Sequence, residues 1–298
     1  AKGVCAEFKS RGYNIGAFDA ATASDVLSGS GLSSSAAFEV LLGTILNHLF
    51  NDGKVSDVEI AQIAQAAENK FFGKPCGLLD QMTSSVGSFV EIDFADPANP
   101  VIEKLDFDFA SCGYALCIVD TGGSHSDLTD EYAAVRKEME SVAEYLGKSV
   151  LREVDEDEFM KNIADIRSSC GDRAVLRAMH FYGDNARVEK QAAALKAGDF
   201  ETFKKYIIES GRSSYMYNQN VYSCKKASEQ PVSLALSLSE KLLDGCGAWR
   251  VHGGGFAGTI QAFVPLNKLD EYKDLMEKVF GSGSCYILSV RPVGGVEL

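Results

Sequence analysis

Apolar residues near the start of the chain recur at Val4 and Phe8 and stop at Gly12, the spacing of a helix and its end. Residues 13–27 carry a looser alternation bracketed by turn residues and read as a strand. Over 36–50 the pattern is helical. Phe38, Leu41, Leu42, Ile45, Leu46 and Leu49 recur at intervals of three and four, Val40 and Phe50 widen the stripe, and Asn51-Asp52-Gly53 ends it. So wide a stripe predicts a central, buried helix. Ser56 and Glu59 have capping-box spacing for a helix over about 57–70. Its inner face, Ile60, Ala61, Ala64 and Ala67, is mostly small, which lets another backbone come close. Strands are predicted at 86–93 and 114–120, helices at 127–146 and 153–165, and a long helical region at 171–211. The last third runs helix 229–243, glycine-rich turn, strand 258–264, helix 267–279, strand 285–291. That order predicts an α+β layer with helices on one face of a sheet.

Composition narrows the class. A chain of 298 residues is expected to form about two domains, and 46% hydrophobic content supplies a sizeable core. The net charge of -13 argues against nucleic acid and against an anionic membrane surface as partners. It still permits a small anionic ligand held by a few local N–H groups. No apolar run approaches the length of about 18 residues that a membrane span needs. The eight cysteines (Cys5, Cys76, Cys112, Cys117, Cys170, Cys224, Cys246 and Cys285) form no C-x-x-C pair and match no zinc spacing. Scattered thiols of this kind point to a reducing cytosol.

The first candidate for chemistry lies against the most apolar helix. Gly29, Ser30, Gly31, Leu32, Ser33, Ser34, Ser35 and Ala36 run into its N-terminus. The first amides of a helix lack internal partners, the helix dipole adds positive potential, and glycines let backbone wrap an anion. A phosphate site is the expectation, with serine hydroxyls as further donors or metal ligands. It is not a Walker A loop. Gly147-Lys148-Ser149 supplies G-K-S, but Val142 stands where the earlier glycine belongs. "GGGFAG", Gly253 to Gly258, fits G-x-G-x-x-G. By pattern it follows a helix and precedes a strand, the wrong order for a dinucleotide fingerprint. Its glycines bring backbone close to a ligand or mark a plain tight turn.

Asp80 stands among Leu78, Leu79 and Met82. It is a candidate to orient a substrate hydroxyl and accept its proton, or else an N-cap or surface residue. Glu68 lies near the end of the alanine-faced helix, and a carboxylate beside serine hydroxyls suits Mg²⁺. The plainer alternative is a solvated helix end. Ser124 and His125 are adjacent, but no G-x-S-x-G or H-E-x-x-H occurs, and four histidines leave little room for a histidine metal site. Tyr132 opens a helix whose stripe is Val135, Met139 and Val142, and reads by spacing as core.

Taken together, the motifs resemble the GHMP small-molecule kinases, and the galactokinase family within them. "SGSGLSSSAAFEV" is similar to the family's ATP-phosphate loop, and "ENKFFGKPCGLLDQMTSSVG" to the segment carrying its catalytic aspartate. "DTGGSHSDLTDEYAAVR" resembles the sugar-contacting tyrosine segment, and "RVHGGGFAGTIQAFV" the third GHMP motif. The resemblance implies a two-domain α+β fold: an incomplete N-terminal ATP-binding domain over about 1–110 and a ferredoxin-like C-terminal domain over 111–298. It implies ATP and Mg²⁺ as cofactors and a small sugar as substrate, with galactose phosphorylated at the C1 hydroxyl. Asp80 would be the catalytic carboxylate. Gly77 and Tyr132 would contact the sugar, Gly29 to Ala36 would cradle the ATP phosphates, Gly253, Gly254 and Gly255 would support the nucleotide and substrate side, and Ser35 and Glu68 would bind Mg²⁺. The family's opening G-R-x-N-L-I-G-E-H-x-D-Y signature is missing, and His252 and Ala257 replace its usual Thr and Gly. The expectation is therefore a C-terminal portion of a longer enzyme, inactive or nearly so alone. The alternatives are a sugar-and-ATP sensor without catalysis, or a GHMP kinase for N-acetylgalactosamine or another sugar.

Overall fold

The structure is a computed structural model that describes residues 1–24, 26, 32–73, 76–96, 99–123 and 128–298. It divides into two compact units, Ala1–Phe107 with Val290–Leu298, and Asp108–Ser289. The return of the last nine residues to the first unit has no signature in the hydrophobic pattern.

The first unit is built on helices α1 (Lys2–Ser10), α2 (Ser34–Asn51), α3 (Asp57–Ala67) and α4 (Leu79–Val86), with an antiparallel hairpin of β1 (Phe89–Asp93) and β2 (Val101–Leu105). Helix α3 is the hub. Its small face works as predicted: Ala61 and Ala64 are fully buried, and a Cβ on Gly3 of α1 would stand 3.1 Å from the Ala67 Cβ. The Glu59 amide donates to the Ser56 hydroxyl at 3.3 Å, capping the helix. Two expectations need correction. Residues 13–24 form no strand. Asn51 instead exchanges side-chain bonds with the Asn14 backbone, at 2.9 and 3.0 Å, and Phe50 packs against Gly16 and Phe18, so the segment is strapped to the end of α2. Helix α2 is buried on one stripe only. Val40, Leu42 and Leu46 face α1 and α3, while Phe38, Leu41 and Leu49 are exposed.

In the second unit, β3 (Tyr114–Asp120) precedes a helical layer of α5 (Thr129–Tyr145), α6 (Glu156–Lys161), α7 (Ile163–Cys170), α8 (Asp172–Lys196) and α9 (Phe200–Ser213). Then come α10 (Pro231–Leu243), β4 (Ala248–Val251), β5 (Thr259–Pro265), α11 (Leu269–Phe280) and β6 (Cys285–Leu288). The four strands form one antiparallel sheet in the order β4-β5-β3-β6. Strand alternation sends Cys117, Val119, Ile260 and Ala262 into a core shared with Val232 and Leu236 of α10 and Tyr272 and Met276 of α11. Phe263, one position out of phase, meets Phe109, Phe200 and Phe203 instead. The region expected to be helical over 153–165 breaks at Asn162, whose side chain bonds the Glu158 carbonyl at 2.8 Å. The region over 171–211 breaks at Gly198, where φ is +68°, and Asp199 caps the next helix. The short strands β2 and β4 escaped the pattern.

Candidate active site

Within the first unit, three chain segments bring the predicted residues together. Helix α2 supplies the serines. Ser33 sits at its N-cap in the left-handed region, φ 56° and ψ 49°, and does not use its hydroxyl to cap the helix. That hydroxyl donates instead to Asp80 Oδ2 at 2.5 Å. The first-turn amides of α2 are thus left without a cap from Ser33, the condition for anion binding at a helix N-terminus. Gly29, Ser30 and Gly31 lie outside the described residues, as do Ser124 and His125.

The second segment is the end of α3, where the helix gives way to a π-helical turn, Glu68–Phe72. Glu68 is not a solvated helix end: it is 3% exposed. Ser35 donates its hydroxyl to Glu68 Oε1 at 3.2 Å, so the two predicted metal ligands stand side by side. Gln81, which the sequence did not single out, donates Nε2 to Glu68 Oε2 at 3.0 Å. Its position directly after Asp80 was the available signal.

The third segment is the turn into α4. Asp80 is exposed in the first helical turn, where the dipole favours negative charge, and Gly77 is exposed just before it. Cys76 fixes this turn. Its amide donates to Asn69 Oδ1 at 2.7 Å, and its carbonyl accepts from Gln65 Nε2 at 3.2 Å. Burial first, and then the Glu68 carboxylate, push the Cys76 thiol up to about 11. No cluster of three or more His, Cys, Asp and Glu fit for a metal occurs among the described residues. A single carboxylate with a hydroxyl still fits Mg²⁺, which takes few protein oxygens and completes its shell with water and phosphate.

Within the second unit, "GGGFAG" follows strand β4, not a helix, and turns the chain into β5. The prediction missed β4 because it is only four residues long. Gly253, Gly255 and Gly258 have φ of 65°, 78° and 84°, and Phe256 joins them at 58°. Tyr132, in the first turn of α5, stands edge-on to Phe256 and donates its hydroxyl to the Gly255 carbonyl at 2.7 Å. Burial raises its pKa. A cavity of about 790 Å³ adjoins this loop, lined by Thr121, Gly123, Leu128, Ser223, Phe256 and Ala257 among others.

Residues 1–88 match the model of the GHMP kinases N terminal domain. A galactokinase of Thermotoga petrophila is 32% identical over 280 residues, covering 94% of this chain and 74% of that protein. The chain belongs to the galactokinase family of GHMP kinases. A galactokinase of Actinobacillus pleuropneumoniae is also 32% identical, over 91% of this chain, and the chain spans 66% of that relative's length, just under two thirds. Among solved structures, Lactococcus lactis galactokinase complexed with galactose superposes with a TM-score of 0.75 at 23% identity, over all of this chain and 75% of that one. Mevalonate kinase of L. major in complex with R-mevalonate gives 0.54 at 14% identity, over 88% of this chain and 66% of that one. The fold is therefore the α+β GHMP kinase fold, and the galactokinase resemblance extends across both units.

Proposed function

We propose that this chain carries the ATP-dependent phosphorylation of a hexose, galactose at its C1 hydroxyl. The observation that supports it most is the convergence at the start of α2, where Ser33 meets Asp80 and Ser35 meets Glu68. Phosphoryl transfer needs positioning and charge neutralisation more than covalent chemistry by the protein. The amides at the head of α2, with Gly29 to Ala36, cradle the ATP phosphates, and Gly253 to Gly255 support the nucleotide. Ser35 and Glu68 hold Mg²⁺, which when bound offsets phosphate charge. Asp80 orients the sugar hydroxyl and accepts its proton, with Gly77 and Tyr132 against the sugar. In this reading the first unit is the ATP-binding domain. All eight cysteines are free, which suits a reducing cytosol.

The test is ADP release with Mg-ATP and a sugar panel that includes galactose and N-acetylgalactosamine. Turnover with galactose is expected of the whole protein, and little or none of residues 1–298 alone. Turnover with another sugar only would reassign the substrate, and binding of ATP and sugar without turnover would make the protein a sensor. Asp80→Asn should lower kcat by about 10²–10⁴-fold. Because Asp80 is exposed, the same variant should keep ATP binding and shift Tm by only about 1–2 °C. Unchanged turnover would remove Asp80 from the mechanism.

A further inference from the structure

The glycine loop between β4 and β5 is tied down by a residue with no assigned role. Asn220 Nδ2 donates to the Gly254 carbonyl at 3.1 Å. The Tyr132 hydroxyl holds the next carbonyl, that of Gly255. A backbone bond completes the attachment: the Phe256 amide donates to the Asn220 carbonyl at 2.5 Å. The approach is so close that a Cβ on Gly255 would stand 1.8 Å from that carbonyl oxygen.

Asn220 lies buried next to a segment that is tied to the neighbouring helices. It is 5% exposed and follows the π-helical turn Ser214–Asn218. Arg177 of α8, fully buried, donates Nε to the Asn218 carbonyl at 3.1 Å and Nη1 to Glu138 at 2.9 Å. Arg173 grips the same Glu138 through two nitrogens. A chain of charge-assisted bonds thus runs from α5 and α8 into the segment that carries Asn220.

A trans peptide points its C=O and N–H in opposite directions. Turning the Gly254 carbonyl onto Asn220 therefore turns the Gly255 amide away from it. The loop divides accordingly, with Gly253 and Gly254 exposed and Gly255, Phe256 and Ala257 buried. Glycines lose more conformational freedom on ordering than any other residue. Three in succession keep one conformation only if something outside the loop selects it.

We propose that Asn220 is the positioning residue of the glycine loop, its side-chain amide acting with the Tyr132 hydroxyl to hold the Gly254 and Gly255 carbonyls inward. The kinetic consequence rests on the proposed role of this loop beside the nucleotide, whereas the ordering of the loop can be measured without turnover. Asn220→Asp keeps the side-chain volume and the backbone bond but loses the donor. Hydrogen exchange should then quicken by about tenfold or more over residues 252–258, with β5 and α10 unchanged. Tyr132→Phe, which keeps the ring against Phe256, should move the same segment. Asn220→Leu, of similar shape and without a donor or a charge, decides the matter if Asn220→Asp does not fold. Exchange within about twofold of the parent in the folded variants overturns the proposal. In an active parent, Asn220→Asp should raise the KM for ATP severalfold, and by more than the KM for the sugar. Quickened exchange in a parent that transfers no phosphate would refute the proposed function while supporting the positioning role. Quickened exchange with both KM values unmoved would overturn the link to the nucleotide.

Discussion

Replacing Gly87 with alanine tests how the helix that carries Asp80 is held. Gly87 ends α4 with φ 72° and ψ 179°, a conformation essentially reserved for glycine. A Cβ there would lie 2.2 Å from the carbonyl carbon of Val293 and 2.4 Å from the Gly294 amide, both backbone atoms of the returning C-terminal segment. The substitution therefore strains α4's end and pushes the segment 290–298 off it. Backbone strain of about 1–3 kcal/mol, with about 1 kcal/mol for loss of the Ser88 amide bond to the Arg291 carbonyl, gives roughly 2–4 kcal/mol. Gly12→Ala separates the two causes. Gly12 also has positive φ, +86°, but nothing lies within 4 Å of its added Cβ, so only strain of about 1–2 kcal/mol applies. Gly294→Ala gives the converse, because its Cβ would stand 1.8 Å from the Ser85 carbonyl oxygen without a positive φ. Thermal unfolding should show a drop of about 5–10 °C for Gly87→Ala, with a smaller one for Gly12→Ala. Hydrogen exchange over 290–298 should quicken in Gly87→Ala and Gly294→Ala but not in Gly12→Ala. Equal Tm shifts for Gly87→Ala and Gly12→Ala, with exchange over 290–298 unchanged, would refute the docking argument.

Two further predictions concern titration. With its thiol raised from 9.0 to about 11, Cys76 should present about a hundredfold less thiolate near pH 8 than an unperturbed cysteine, and iodoacetamide should label exposed Cys224 first. Glu68→Gln removes part of that shift and should speed Cys76 alkylation, as read by mass spectrometry; an unchanged rate would separate Glu68 from Cys76. His180 is buried between Ser213 and Asp184, with Arg187 and Arg250 also facing it, and burial lowers its pKa below 6.5. A depressed folded-state pKa makes its contribution full above 6.5 and lost as pH falls through the lower value. Stability should therefore decline as pH falls below 6.5, and His180→Gln should flatten that decline; a parallel pH profile for the variant would contradict it.

What the sequence determined by itself is what local physics dictates. Helix α2, the capped α3 with its small face, strand β3 and the alternation of the last third follow from periodicity and caps, which act within a few residues. The candidate site residues were proposed from short-range patterns too, a glycine–serine run against an apolar helix and a carboxylate beside prolyl and glycyl turns. Only the tertiary structure decided which of them meet. Glu68 and Ser35 are 33 residues apart, and nothing local distinguishes a buried carboxylate facing a hydroxyl from a solvated helix end. The same holds for Gln81 as Glu68's second partner, for Asn220 under the glycine loop, and for the return of 290–298 to α4. Residues 13–24 form no strand because their attachment is made elsewhere: Asn51, far along the chain, bonds the Asn14 backbone in place of a neighbouring strand. Partners distant in sequence are chosen by packing, and packing exists only once the chain has folded.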